Sequence, residues 1–203
     1  MKDTLQHLFD NKTLSKERAK EALRNITSGT YSESQMAAFL TAFCMRPITV
    51  DELSGFMEVL QELCVKVDLG TNDAIDMCGT GGDGKHTFNI STLASFVIAG
   101  TGIPIAKHGN YGVSSGCGSS NVLEAQGFKF SNDIATLKES IQRSGICFMH
   151  APLFHPAMKH VAPVRKSLGV KTFFNMLGPL INPSFPASQV TGVYSKEVAR
   201  LYK

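Results

Sequence analysis

Glycine is distributed unevenly along this chain, and no other feature restricts its fold as much. Only Gly29 and Gly55 precede Gly70, whereas ten of the 18 glycines fall between Gly79 and Gly118. A segment so poor in glycine suits continuous helix. One so rich in it suits loops where the backbone takes positive φ or comes close to another group. The chain therefore changes character near residue 70, and we expect an all-helical domain over residues 1–69 followed by an α/β domain over residues 70–203.

The first part carries helix signals. Ser15 is a good N-cap, with Ala19, Ala22, Leu23 and Ile26 following at helical spacing. Ser32 with Gln35 and Thr49 with Glu52 form capping boxes. Behind them run the stripes Met36, Phe39, Leu40, Phe43 and Leu53, Phe56, Met57, Leu60, Leu63, which read as core. After residue 70 strands and helices alternate. Ala74–Cys78, Ile103–Lys107, Ile146–Met149 and Gln189–Tyr194 read as strands. Ser91–Gly100 reads as a buried helix, and Asn121–Gln126 and Asp133–Arg143 as helices. Pro156 is placed to open a helix that runs to Leu168 and can pack on the helical domain. Such alternation implies a mainly parallel sheet, and ligands of these sheets bind beyond the carboxyl ends of the strands. Both glycine loops lie there.

The composition excludes several classes. A chain of 203 residues and 22.0 kDa can bury a core without disulfides or structural metal. A net charge of +3 with no block of five like charges argues against a nucleic-acid or membrane-surface binder. No apolar run reaches the roughly 18 residues of a transmembrane helix, and the first ten residues lack the apolar stretch of a signal peptide. Five cysteines without a CxxC pair point to reduced thiols and a cytoplasmic protein.

The first loop, Asp76 to Thr87, invites three readings. Gly79, Gly81 and Gly84 fit GxGxxG, but the next strand ends in Lys107-His108 where a dinucleotide fold needs an acid. Gly79 to Lys85 fits GxxxxGK, but His86 stands where a P-loop needs Ser or Thr. The third is a loop whose N–H groups, with a helix N-terminus, receive an anion. Asn89, Ser91 and Thr92 supply more polar atoms than one cap requires, and a tight strand-to-helix turn remains the plain structural alternative. Asp83 would repel a phosphate and makes sense if it accepts from ribose hydroxyls or metal-bound water. In the second loop, Lys107 supplies a point charge suited to pyrophosphate, and Ser114, Ser115 and Ser119 supply hydroxyls. His150, His155 and His160 follow no ligand spacing and read as core or surface.

GTGGD at Gly79–Asp83, NIST at Asn89–Thr92, KHGN at Lys107–Asn110 and the stretch Phe154–Pro183 together resemble the anthranilate phosphoribosyltransferases. The resemblance spans nearly the whole chain. It implies a small N-terminal all-helical domain and a larger α/β domain of nucleoside phosphorylase/phosphoribosyltransferase type. It also implies transfer of phosphoribose from phosphoribosyl pyrophosphate to the amine of anthranilate, in tryptophan biosynthesis. By that resemblance Gly79, Gly82, Asp83, Thr87, Asn89, Ile90, Ser91 and Thr92 bind the donor. So do Lys107, His108, Gly109, Asn110, Tyr111, Gly112, Val113, Ser114, Ser115 and Ser119. Gly79, Asn110 and Arg165 contact anthranilate, Arg165 through a bidentate grip on the carboxylate. No residue is assigned a proton-transfer role; Asn110 and Arg165 act by positioning. Two Mg²⁺ ions are implied, one on Ser91 and one on an acidic pair beyond residue 203, where the family's sheet continues. A homodimer through the helical domain is implied as well. The alternatives are a pyrimidine nucleoside phosphorylase-like enzyme, a non-catalytic nucleic-acid-binding relative, and an inert portion of the first enzyme. Tyr111 departs from the arginine that many members carry after KHGN.

Overall fold

The computed structural model describes residues 1–82, 84, 87–112 and 116–203. Four helices come first: α1 (Lys2–Phe9), α2 (Lys16–Thr27), α3 (Glu33–Cys44) and α4 (Val50–Leu63). Their starts are fixed by the residues that the sequence singles out. Ser15 Oγ accepts from the Arg18 N–H, and both capping boxes form, Ser32 with Gln35 and Thr49 with Glu52. The stripes meet in one core, where Phe39, Phe43 and Phe56 pack ring on ring with Phe173. Leu63, expected in the core, is instead exposed at the end of α4. Glu52 is fully buried. Its carboxylate accepts from Leu14 N (2.8 Å), Thr49 N (2.9 Å) and the Arg46 guanidinium, and so ties the two interhelical loops to α4.

The α/β part runs β1 (Ile75–Gly79), α5 (Ile90–Ala99), β2 (Ile105–Gly109), α6 (Ser119–Ala125), α7 (Ile134–Ser144), β3 (Ile146–His150), α8 (Ala151–Phe154), α9 (Val161–Leu168), α10 (Phe174–Leu177), β4 (Ser188–Gly192) and α11 (Lys196–Leu201). The four strands are parallel in the order β3-β2-β1-β4. Gly79 pairs with Gly192 and Gly109 with His150, so the carboxyl ends line up along one edge. After β3 the chain returns to the bundle. Val161 and Val164 of α9, with Phe173, Phe174, Leu177 and Ile181, belong to the helical core. A second core lies under the sheet around Ala106, Leu137, Ile141, Cys147 and Met149.

Two further expectations are corrected. The helix expected over 156–168 is broken: Pro156–His160 is 3₁₀ and α9 begins at Val161. Pro163 is the reason, since it has no N–H for the carbonyl four residues earlier and its ring clashes there; within a first turn it is tolerated. The helix expected to be buried at 91–100 forms as α5, but Leu93 (55% exposed), Phe96 (48%) and Val97 (63%) face outward, and only Thr92 and Ser95 are buried. Apolar composition marked a face suited to burial, and no described residue covers it. Among the described residues no helix is long and apolar enough to cross a membrane.

Candidate active site

The carboxyl edge of the sheet opens into a cavity of about 990 Å³ between the two glycine loops and the α8–α10 segment. All the expected donor and acceptor residues that the structure describes line it: Gly79, Gly82, Thr87, Asn89, Ile90, Ser91, Thr92, Lys107, His108, Gly109, Asn110, Tyr111, Gly112, Ser119 and Arg165. Asp83, Val113, Ser114 and Ser115 lie outside the described residues.

The first loop leaves β1 with Gly81, Gly82 and Gly84 at φ +62°, +78° and +69°, a backbone region that other residues enter only with strain. A side chain at Gly81 or Gly84 would meet nothing within 4 Å, so the loop borders open space. Asn89 precedes α5 without a capping bond from its side chain. That leaves the first-turn N–H groups, at the positive end of the helix dipole, available to an anion. Ser91 Oγ stands 3.4 Å from where Gly79 would carry a Cβ.

The second loop is drawn tight by its own backbone. Asn110 O accepts from Ser120 N (3.1 Å) and Ser119 Oγ (3.3 Å). Asn121 Oδ1 accepts from Gly112 N (3.0 Å) and Gly118 N (2.8 Å), clamping both ends of the loop. A Cβ at Gly118 would stand 2.5 Å from Asn110 O, so the crossing requires glycine. Tyr111 packs edge-on against His150 (4.9 Å between ring centres) and its hydroxyl donates to Glu124 Oε1 at 3.2 Å. Lys107 is buried on β2 with its ammonium donated to Met77 O of β1. Burial pulls its pKa down, against the opposing pull of Asp76.

The third wall holds the least satisfied groups. His108 Nδ1 lies 3.3 Å from Gly178 O. A carbonyl only accepts, so Nδ1 carries the hydrogen and Nε2, buried without a partner, is left as an acceptor. The rings of His108 and His155 are 5.1 Å apart, and His155 is buried without a hydrogen bond of normal geometry, the Ile181 backbone acting on it only weakly against burial. Burial pushes His108 down to about 3 and His155 down to about 4, so both are neutral near pH 7. Arg165 completes the group. Its guanidinium lies 5.1 Å over the Phe174 ring, with one 3.5 Å contact to Asn175 Oδ1 and a partnerless buried Nε. Burial lowers its pKa to about 10. A half-buried cation in one cavity with two neutral imidazoles, with no carboxylate of the chain among the described residues to pair it, suits a ligand carrying an acid and an amine.

His155, Asn121 and Asn175 were not expected at the site. The signal for His155 was its place just after β3, on the carboxyl side of the sheet. Asn121 and Asn175 carried none, since each acts by accepting from backbone N–H groups that only the folded loop brings near it.

Two models of a glycosyl transferase family match the sequence, its helical bundle domain over residues 2–64 and its a/b domain over residues 71–203. Anthranilate phosphoribosyltransferases of Flavobacterium johnsoniae and Christiangramia forsetii are 64% and 59% identical over 202 residues. Those matches take in all of this chain and 61% of each relative, so the chain spans about three fifths of their length. Among solved structures, the Thermus thermophilus anthranilate phosphoribosyltransferase superposes with a TM-score of 0.85 at 38% identity, covering 98% of this chain and 63% of that one. The Saccharomyces cerevisiae enzyme in complex with PRPP and Mg gives 0.87 at 32% identity, covering 98% and 59%.

Proposed function

The chain belongs to the glycosyl transferase family through both its helical bundle and its a/b domain, and from that premise we propose that it is the donor- and acceptor-binding portion of an anthranilate phosphoribosyltransferase. The observation that carries this reading is the union, in one cavity, of an anion-receiving glycine loop with a half-buried Arg165 that has no carboxylate partner among the described residues, and with neutral His108 and His155.

In this reading the loop N–H groups and the start of α5 hold the phosphates of phosphoribosyl pyrophosphate, and their fixed dipoles stabilise the departing pyrophosphate. Arg165 grips the anthranilate carboxylate, and Asn110 with Gly79 closes the pocket around the ring. The acceptor amine is already neutral near pH 7, so no strong base is required; His108 Nε2 and His155 can accept its hydrogens and aim its lone pair at the anomeric carbon. Magnesium keeps water and phosphate ligands and takes few protein oxygens. Ser91 Oγ at the loop fits that need, and among the described residues no cluster of three or more His, Cys, Asp or Glu offers another metal site. When bound, the ion would neutralise charge on the pyrophosphate.

We also infer a homodimer through the helical domain, where Phe9, Met45 and Val50 leave apolar surface exposed. A cytoplasmic location accords with Cys44, Cys64, Cys78 and Cys147 sharing no disulfide.

The test is titration of the 203-residue chain with phosphoribosyl pyrophosphate plus Mg²⁺ and, separately, with anthranilate, followed by fluorescence as the acceptor is consumed. Saturable binding of both supports the proposal. Binding of neither refutes it, and phosphorolysis of thymidine would favour a nucleoside phosphorylase.

A further inference from the structure

We propose that Lys171 is a phosphate-binding residue of the donor site, the cation that closes on the first glycine loop from the side of the helical bundle. This rests on the donor-binding reading above. Gly169 ends α9 in the left-handed region (φ +65°), and the chain then crosses to Thr172. The backbone there is fixed to the bundle side. Lys171 O accepts from Cys44 Sγ at 3.4 Å, and Thr172, which is buried, donates its N–H to Asn175 Oδ1 at 3.1 Å. The side chain reaches the other way, to the α/β domain. Its ammonium donates to Gly82 O and lies 5.7 Å from the centre of the Tyr194 ring. A side chain at Gly82 would meet the Lys171 stem at 3.3 Å, so loop and lysine are in close contact.

Among the described residues three cations line the cavity, and Lys171 stands at its margin against Gly82; of the three, Lys159 is exposed on the turn Pro156–His160 and the other two are held in place. Lys107 is buried with its ammonium on Met77 O, and Arg165 lies against Phe174 and Asn175 at the acceptor end. Lys171 is exposed, is paired with no carboxylate among the described residues, and is held by a neutral carbonyl. A hydrogen bond to a phosphate oxygen is roughly twice as strong as one to an uncharged acceptor. A phosphate arriving on the loop therefore draws the ammonium from Gly82 O, and four rotatable bonds let it follow.

Calorimetric titration separates this from a mere clasp between domains. The 203-residue chain and its Lys171→Ala, Lys171→Gln and Lys171→Arg variants are titrated with inorganic pyrophosphate plus Mg²⁺ and with ribose 5-phosphate, at low and at moderate salt. The Ala and Gln variants should lose affinity about tenfold or more, with a shallower salt dependence, while Arg stays near wild type. A loss confined to pyrophosphate places Lys171 at the leaving end of the donor, and a loss confined to ribose 5-phosphate at its 5′ end; either supports the proposal. Glutamine keeps a donor for Gly82 O but no charge, so wild-type affinity in Lys171→Gln overturns it, as does unchanged affinity in Lys171→Ala. Unaltered anthranilate binding and melting in the variants reports an intact fold. If the wild type binds neither phosphate ligand, the donor reading falls and this proposal falls with it.

Discussion

Replacing Arg165 by methionine should make the ligand-free chain more stable while removing its proposed hold on an aromatic carboxylate. The guanidinium is mostly buried, its Nε has no partner, and burial brings its pKa down to about 10 from the ordinary arginine value. Each tenfold change in proton affinity is about 1.4 kcal/mol, so the depression corresponds to about 3 kcal/mol against the charged form. Two contacts offset part of this. The Phe174 ring, 5.1 Å below, contributes about 1 kcal/mol, and the long bond to Asn175 about 0.5 kcal/mol. A net cost of about 1–2 kcal/mol remains near pH 7, where arginine is charged whether folded or not; it is relieved only as the pH rises above about 10. Methionine keeps the apolar stem without the charge. For a chain of this size about 1 kcal/mol moves the midpoint by about 2–4 °C, so Arg165→Met should melt about 2–8 °C higher by circular dichroism. Anthranilate affinity, read by fluorescence, should fall about 100-fold with the loss of two charge-assisted hydrogen bonds. A variant that melts at or below wild type would show the guanidinium to be satisfied without ligand, and the argument from its isolation would collapse.

Other substitutions test the frame around that group. Glu52→Gln should cost about 3 kcal/mol in urea unfolding, because Arg46 keeps its charge in a buried position without a counter-ion. Against burial, which raises it, Arg46 and the N–H groups of Leu14 and Thr49 hold the Glu52 carboxyl below its ordinary value; its stabilisation is thus present above the unfolded value and lost as pH falls through the folded one, a loss that the Gln variant should not show. His108 and His155, held at about 3 and about 4 by burial, take up protons only on unfolding between those values and about 6.5, so wild-type stability should fall as pH drops from about 6.5 towards 4 and His155→Gln should flatten the decline; equal melting temperatures at pH 7 and pH 5 would contradict this. Gly118→Ala puts a methyl 2.5 Å from Asn110 O and should lower pyrophosphate affinity at least about tenfold by displacing the second loop. Gly127→Ala, with nothing within 4 Å and a φ of +83°, should cost about 1 kcal/mol of stability and leave that affinity unchanged.

The parts of this fold that were legible in the sequence are those decided within a few residues. Ser15, Ser32 with Gln35 and Thr49 with Glu52 mark helix starts because each satisfies backbone donors three positions away. The strands were legible as short runs between helices, three of which end at glycine, although β2 begins at Ile105, two residues later than its apolar content suggested, and β4 ends at Gly192, two residues short of the expected Tyr194. What failed needed a partner from elsewhere in the chain. The outward face of α5 has the same composition as a buried one, and only the rest of the fold decides what covers it.

The site divides along the same line. Glycines 79 to 84 and 109 to 118 announce close backbone approach through their own lack of a side chain, so their loops could be found from spacing alone. The proposed acceptor pocket could not be found that way. His108 sits on β2, His155 follows β3 and Arg165 sits on α9, and each alone reads as an ordinary core or surface residue. Their chemistry comes from lining one cavity with Nε2 of His108 and Nε of Arg165 buried and unpartnered and His155 without a hydrogen bond of normal geometry. A buried polar atom without a partner costs stability wherever it occurs. Such atoms around one cavity leave the folded chain short of hydrogen-bonding partners that a ligand can supply. An anthranilate carboxylate and amine match that deficit in both charge and hydrogen-bonding sense, which is why the binding and stability effects of Arg165→Met are expected to have opposite signs.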